Sequence, residues 1–196
     1  MQYNKRFYTI RQYFYFLDDM LFSIKDVRKA KKMNLISKDF QERIMIAVTE
    51  VNGCQVCSYY HAKVALESGV NSEEIDDLLS GEDRNVPRNQ LNAVLFAKYY
   101  ADAAGIVEKT VYEAVVKEYS QDMASGILGY IRMIMIGNVS GIAFGTLKNR
   151  ITFKKVKGSR LGNELAILFG TVFFIPVIMI MRLIKPRKLF LKNNLV

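Results

Sequence analysis

The sequence predicts an all-α protein, and three observations carry this prediction. Apolar residues recur at steps of three and four, as at Ile44, Met45, Val48 and Val51, which is the period of a helix with one buried face. No stretch alternates apolar and polar residues for long, and β-branched runs are short, so strands are not expected. Apolar residues make up 51% of the 196 residues, which is enough to form a core.

End signals divide this pattern into successive helices. They are predicted over residues 7–33, 37–52, 54–69, 71–80, 88–104, 108–118 and 120–150. Ser37 is a typical N-cap and Gly53 a typical stop. Asn71 with Glu74 resembles a capping box. In the last helix Gly137, Gly141 and Gly145 form a stripe, which fits tight packing inside the domain or a subunit interface.

A shift in composition near residue 151 predicts two parts. Residues 1–150 are expected to form a helical domain, and residues 151–196 a basic linker, an apolar helix and a basic tail. Arg11, Asp18 and Asp19 interrupt any apolar segment near the N-terminus, so no signal peptide is expected there. A cytoplasmic location is the default expectation.

Positive charge is concentrated on both sides of one apolar segment. The chain has a formal net charge of +9. One basic cluster comprises Lys148, Arg150, Lys154, Lys155, Lys157 and Arg160. The other comprises Arg182, Lys185, Arg187, Lys188 and Lys192. Because they flank residues 165–181, lipid headgroups fit the charge better than nucleic acid. No nucleic-acid-binding signature accompanies it, so no nucleic-acid partner is expected.

The apolar segment, Leu165 to Met181, contains no charge. A helix of this length spans about 26 Å, slightly less than a hydrocarbon core of about 30 Å. Pro176 is expected to interrupt its middle. Three interpretations stay open: a single membrane span, a kinked segment dipping into the cytoplasmic leaflet, and a helix buried in an oligomer. Membrane association through this segment is the favoured one.

The chemistry-bearing motif lies in residues 41–69. The chain has two cysteines, Cys54 and Cys57, and one histidine, His61. On a helix that begins near Cys54, steps of three and four bring these three residues to one face. Glu42 lies on the preceding helix, with eleven residues between it and the first cysteine. Two close cysteines indicate redox chemistry or a metal site rather than a secreted disulfide framework.

Each of these groups has a chemical reason to be there. Unpaired N–H groups and the dipole at a helix N-terminus lower a thiol's pKa. His61, one turn after Cys57, can act as the thiol base. Cys54 is near enough to convert an oxidised Cys57 into a disulfide. Glu42 can orient His61 or relay its proton.

The same four residues also admit roles outside redox catalysis. The cysteines can be ordinary buried thiols. Cys54, Cys57, His61 and Glu42 can instead form a zinc site, although three ligands within one helix would be strained. Glu42 can be a solvated residue paired with a cation, and Glu50 is a rival that differs from it in helical azimuth by about 80°.

The motif resembles the signature of the carboxymuconolactone decarboxylase/AhpD-like alkylhydroperoxidase superfamily. A helix carrying Glu42 precedes Asn-Gly-Cys-x-x-Cys-x-x-x-His, which ends at His61. The similarity extends over about residues 35–150, so the domain expected at residues 1–150 is AhpD-like. The AhpD type often has a second histidine just before its second cysteine, where this chain has Val56.

The resemblance implies an all-helical fold, commonly in trimers or hexamers, and peroxidase or disulfide-reductase activity. By the same resemblance Cys57 attacks peroxide, Cys54 resolves it, and His61 with Glu42 forms a proton relay. The implied partners are a peroxide and a dithiol reductant, and no metal or other cofactor is needed. Tyr59 and Tyr60 are candidates for lining the pocket, or alternatively core residues. The rival functions are decarboxylase-like chemistry on a lactone and a non-enzymatic membrane scaffold.

Overall fold

The described part of the chain consists of helices and connecting loops. The computed structural model describes residues 6–184. Its helices are α1 (Ile10–Lys32), α2 (Lys38–Asn52), α3 (Gln55–Glu67), α4 (Ser72–Leu79), α5 (Arg88–Asp102), α6 (Lys109–Tyr119), α7 (Gln121–Ile151) and α8 (Leu161–Ile184). The all-α prediction is therefore confirmed, and the predicted helix ends lie within a few residues of those observed.

The longest helix, α7, is the centre of the fold. It packs against α1, α2, α3, α5, α6 and α8. Two glycines let α1 come close, because a methyl group added at Gly126 would lie 2.6 Å from Ala30 Cβ and one added at Gly129 would clash with Val27 Cγ2. Small residues at such a contact allow the two helices to pack tightly.

Helix ends follow the sequence signals with one correction. Gly53 ends α2 in the left-handed conformation, which glycine adopts at little cost. Asn71 caps α4 by accepting from the Glu74 amide at 2.7 Å. The reciprocal half of the predicted capping box is wrong, because the Glu74 carboxylate instead accepts from Arg43.

This buried ion pair joins α2 to α4 and α5. Arg43 and Glu74 have side chains only 7% and 4% exposed, and Arg43 also donates to Asp39 and Gln90. A charge so far from water needs several partners. This network ties α2 to α4 and α5 on the side of the helix where Arg43 lies.

The apolar segment forms most of α8, which is held at both ends by ion pairs. Glu164 is 1% exposed and accepts from Arg150 at 2.9 Å, and Arg182 donates to Asp18 of α1 at 2.8 Å. Between them Tyr13 and Thr171 share a hydrogen bond of 2.6 Å. The prediction that Pro176 interrupts the helix is wrong, since α8 continues from Leu161 to Ile184. The missing N–H of proline removes one backbone hydrogen bond, and the contacts along α8 outweigh that loss.

The outer face of α8 has no partner within the described residues. Its exposed apolar side chains include Phe169, Val172, Phe173, Val177 and Ile180. By length and composition, α7 and α8 are each apolar enough to cross a membrane, but the most apolar window of α7 is 67% buried inside the protein and that of α8 only 11%. Burial in the core therefore explains the apolar composition of α7 but not that of α8.

The C-terminal region is described only in part. The division of the chain at residue 150 stays a prediction. Of the second basic cluster, Arg182 is bound to Asp18, whereas Lys185, Arg187, Lys188 and Lys192 lie outside the described residues.

Candidate functional site

The site is built on the sharp junction between α2 and α3. The left-handed Gly53 reverses the chain after Asn52, and Cys54 then serves as the N-cap of α3. Tyr8 donates to the Asn52 side chain at 2.6 Å, and the backbone of Arg6 donates to the Asn52 carbonyl at 3.0 Å. The N-terminal segment therefore holds the residue that precedes the Gly-Cys pair.

The two cysteines form a disulfide, with their Cα atoms 5.3 Å apart. Cys54 is 1% exposed, whereas Cys57 is half-buried and reached by solvent. The Cys57 amide donates to Cys54 Sγ at 3.4 Å, and Cys57 Sγ lies 3.7 Å from the carbonyl oxygen of Gly137. The alternative of two ordinary buried thiols is therefore wrong, because the pair is bonded and one member faces solvent.

Gly141 of α7 forms the floor under the disulfide. A methyl group added there would lie 2.7 Å from Cys54 Sγ and 2.9 Å from Cys57 Sγ. At Gly137 the only close atom would be Ile134 Cδ1 at 3.6 Å, and at Gly145 nothing described would lie within 4 Å. The glycine stripe is thus a packing feature at Gly141 specifically.

The buried Glu42 pairs with the partly buried His61, which lies one turn after Cys57 on α3. Glu42 Oε2 lies 2.7 Å from His61 Nδ1, and Glu42 Oε1 accepts from Lys38 Nζ at 2.6 Å. The Glu42 side chain is only 1% exposed and that of His61 12%. The alternative in which Glu42 is solvated and paired with a cation is wrong on solvation, although the cation is present as Lys38. The two side chains predicted to interact, Glu42 and His61, are in contact.

The environment of Glu42 keeps its carboxyl group ionised. Burial by itself would raise its pKa, but the hydrogen bonds and positive charges of His61 and Lys38 outweigh burial and lower the pKa below the ordinary 4.5. A carboxylate can only accept, so Nδ1 of a neutral His61 carries the proton. Nε2 is then left free to accept one.

The rival carboxylate, Glu50, lies elsewhere. Burial raises its pKa, and the charges that oppose this come from Lys98 and Arg6. Its oxygens lie 3.5–3.8 Å from the position that a Cβ on Gly81 would occupy. Glu50 therefore faces the loop after α4 and is not the partner of His61.

The exposed face of α3 surrounds the site. Tyr59 and Tyr60 are 77% and 61% exposed, so the alternative that they are core residues is wrong. The Tyr60 ring lies edge-on to His61, with ring centroids 5.1 Å apart. Val56, which stands where AhpD-like proteins often have a second histidine, is also exposed.

Three residues beside the site were not predicted from the sequence as parts of it. Lys38 stands four residues before Glu42, and this i,i+4 spacing was a usable signal. Gly141 stood out only as part of a stripe. Asn138, fully buried one turn before Gly141, accepts from Thr49 at 3.0 Å, while its Nδ2 has no partner within the described residues. No spacing rule points to Asn138.

The donor set does not favour a metal. Within residues 6–184, no three His, Cys, Asp or Glu side chains are grouped closely enough to hold an ion. The sulfur atoms are bound to each other, and Glu42 is bound to Lys38 and His61. The chemistry that this arrangement supports is proton and electron transfer at sulfur.

Fold and site together define an all-helical protein that carries a Cys-x-x-Cys disulfide next to a histidine paired with a buried carboxylate. Residues 26–84 match the carboxymuconolactone decarboxylase family, which confirms the resemblance seen in the sequence. That family includes enzymes such as AhpD-like alkylhydroperoxidases. The matched segment contains Glu42, Cys54, Cys57 and His61. Neither a curated protein nor a solved structure matches the chain.

Proposed function

We propose that the protein is a thiol-dependent peroxidase and disulfide oxidoreductase, with Cys57 as the attacking thiol and Cys54 as the resolving one. The observation that carries the proposal is the asymmetry of the disulfide. Cys57 is half-buried and lies one turn before His61 on α3, whereas Cys54 is only 1% exposed. A peroxide can therefore approach Cys57, and the resolving sulfur is already within bonding reach.

The oxidative half begins with proton transfer. His61 Nε2 takes the proton of the Cys57 thiol, and Glu42 stabilises the imidazolium through Nδ1. The thiolate attacks the outer oxygen of a hydroperoxide, the O–O bond breaks, and the leaving alkoxide takes the proton from His61 as an alcohol. Cys57 becomes a sulfenic acid. The Cys54 thiol then loses its proton to the neutral His61 and its sulfur attacks Cys57 sulfur. Hydroxide leaves and takes that proton as water.

The reductive half restores both thiols. One sulfur of an external dithiol attacks the exposed Cys57 sulfur, forming a mixed disulfide and releasing the Cys54 thiolate. The second sulfur of the dithiol closes its own disulfide and releases Cys57. One peroxide is reduced and one dithiol oxidised in each cycle.

The first experiment measures peroxide consumption in the presence of a dithiol. We expect Cys57→Ser to abolish it. Cys54→Ser is the matched variant. Reduced and then freed of dithiol, it should reduce one equivalent of peroxide and stop, with a sulfenic acid at Cys57 that a dimedone probe traps. Full activity in Cys57→Ser would show that the assignment is wrong. If dimedone labels Cys54 in the Cys57→Ser variant and does not label Cys57 in the Cys54→Ser variant, the roles of the two cysteines are reversed.

The same cysteine variants distinguish two rival functions. Decarboxylase-like chemistry on a lactone needs no dithiol, so it predicts an activity that both variants retain. A non-enzymatic scaffold predicts a thiol count that mild peroxide does not change in the reduced protein. The solvent-reached Cys57 supports the redox function over the scaffold, in which that sulfur would need no access to solvent.

The proposed location is the cytoplasmic face of a membrane, with α8 lying in the plane of one leaflet. A spanning α8 would take α1 with it, because Tyr13 and Asp18 bind α8 along its length. α1 cannot enter hydrocarbon at ordinary cost, since it carries Arg11, Asp18, Asp19, Lys25, Asp26, Arg28, Lys29, Lys31 and Lys32. The exposed apolar face of α8 and the basic loop before it suit an anionic interface.

Vesicle flotation tests this location. We expect the full chain to float with vesicles containing anionic lipid and less with zwitterionic ones. Val172→Glu combined with Phe173→Glu should release it, whereas Leu66→Glu, at an apolar and exposed position on α3, should not. A chain that ignores vesicles and forms a discrete oligomer would show that the α8 face is a subunit contact. A tag after residue 196 on the opposite side from residue 1 would indicate a span.

Assembly into a trimer or hexamer is also proposed, on the family resemblance alone. Light scattering of the protein in mild detergent measures it, and a monomer at micromolar concentration would contradict it.

A further inference from the structure

A lysine occupies a place at the start of α2 that helix physics disfavours. Lys38 is the first residue of α2, where the positive end of the helix dipole repels a cation. Its pairing with Glu42 also has the less favourable order, because a glutamate that precedes a lysine by four residues stabilises a helix better than the reverse. The stability of α2 by itself therefore does not explain why a lysine stands at position 38.

The contacts of Lys38 lead into the site. Its Nζ lies 2.6 Å from Glu42 Oε1, and the other oxygen of that carboxylate binds His61. The Lys38 side chain is 54% exposed while Glu42 is 1% exposed. The ammonium group thus stands between the buried carboxylate and solvent.

Among the described residues, a neutral side chain also contacts this carboxylate. Gln41 reaches Glu42 Oε1 at 3.4 Å from the same helix. From α7, Tyr130 lies close enough for the charge of Lys38 to act on it. The charged neighbours that act on Glu42 are His61 of α3 and Lys38 of α2. When His61 is neutral, as it must be to accept the thiol proton, Lys38 supplies the positive charge beside Glu42.

We propose that Lys38 is a positioning residue of the redox site, which keeps Glu42 anionic while His61 is neutral and so preserves His61 as the thiol base. The proposal rests on the proposed thiol chemistry for its enzymatic consequence. Its electrostatic part concerns Glu42 alone and is measurable without turnover.

The enzymatic test compares pH profiles of kcat/KM for peroxide. In Lys38→Met the acid limb should move to higher pH by about 0.5–1 unit, because removing a positive charge beside the Glu42–His61 pair favours the protonated forms of the pair. An opposite charge at this distance shifts a carboxyl pKa by about 1–3 units, and the exposure of Lys38 weakens the effect. Activity on that limb should fall about 3- to 10-fold, with little change at the alkaline end. Lys38→Arg should restore the profile, which a purely structural defect would not allow.

The control is Lys63→Met, which removes a lysine from another i,i+4 pair, with Glu67, on the exposed face of α3. We expect its profile to match that of the unaltered protein. An equal fall in kcat/KM at all pH values in Lys38→Met would overturn the proposal.

The second readout uses the sole histidine of the chain as a reporter. In proton NMR, the His61 ring signals should show an acid inflection when Glu42 takes up a proton. This inflection should move up by about 0.5–1 pH unit in Lys38→Met and not in Lys63→Met. An unmoved inflection in Lys38→Met overturns the inference. If the inflection moves but no variant or parent consumes peroxide, the proposed function fails and the link between Lys38 and Glu42 stands.

Discussion

The contact between Gly141 and the disulfide gives a prediction with an internal control. In Gly141→Ala the new methyl group would lie 2.7 Å and 2.9 Å from the two sulfur atoms, closer than Cβ atoms pack in folded proteins. In Gly145→Ala, one turn later on the same helix, the methyl group would meet nothing described within 4 Å. The two substitutions are chemically identical and differ only in what lies above them.

The expected energies follow from two opposing effects. Alanine is better than glycine inside a helix by up to about 1 kcal/mol, so Gly145→Ala should stabilise the protein by up to that amount. Gly141→Ala gains the same but forces a shift in a packed site, which costs about 1–3 kcal/mol. The oxidised variants should therefore differ by about 1–3 kcal/mol, and each kcal/mol shifts the Tm by about 2–4 °C in a chain of this size.

The steric conflict should fall mainly on the oxidised form, because reduced sulfurs can move apart. The disulfide of Gly141→Ala should then be easier to reduce by about 20–60 mV, since 1.4 kcal/mol corresponds to about 30 mV for two electrons. Equilibration with dithiothreitol mixtures, followed by thiol counting, measures this. Equal Tm gains in the two variants and equal potentials would refute the reasoning, because they would show that the sulfurs do not rest on Gly141.

Three further predictions follow from the described contacts. Glu74→Gln should lower the free energy of unfolding by up to about 3–5 kcal/mol in urea titration, because it removes one of the two carboxylates that neutralise the buried Arg43 guanidinium, Asp39 being the other; a loss below about 1 kcal/mol would contradict this. Tyr8→Phe should cost about 1 kcal/mol in the same assay, since it removes the donor to Asn52; an unchanged urea midpoint would show that this bond adds nothing. Because the pKa of Glu42 is lowered on folding, its ionisation stabilises the fold above the ordinary value of 4.5, and this contribution is lost as pH falls through the folded pKa. The stability gap between Glu42→Gln and the parent should therefore narrow below about pH 4.5, and a gap that stays constant from about pH 6 to about pH 3 would contradict it.

The fold was largely predictable because its end signals are local. Gly53 and Asn71 act within their own turns, and both behave as their sequence positions indicate. Glu74 did not, because Arg43 offered it a charged partner across the core. Pro176 did not end α8, because one missing backbone bond costs less than the contacts of a helix held at both ends. Tertiary partners decided both cases, and no local pattern contains them.

The site divides in the same way. Cys54, Cys57 and His61 are related by helix periodicity, and Glu42 by the family signature, so the sequence alone identified all four as candidates. The neighbouring residues Lys38, Gly141 and Asn138 belong to no motif, and they come to the site only when the chain folds.

The sequence could not show which side chains of the site are buried and which are reached by solvent. The mechanism that we propose depends on this difference. The motif already distinguishes Cys54 from Cys57 by the position of His61, but it does not show how far each is exposed. Cys54 is buried and Cys57 only half-buried, because Cys54 lies at the N-cap of α3 against α7. Lys38 and His61 likewise bind opposite oxygens of one carboxylate, the first from the solvent side. In the peroxidase cycle that we propose, a buried carboxylate with the Lys38 cation on one oxygen stays charged whether or not the His61 ring on its other oxygen holds an extra proton. For that reason we expect the pH profile of kcat/KM for peroxide to depend on Lys38 as well as on His61.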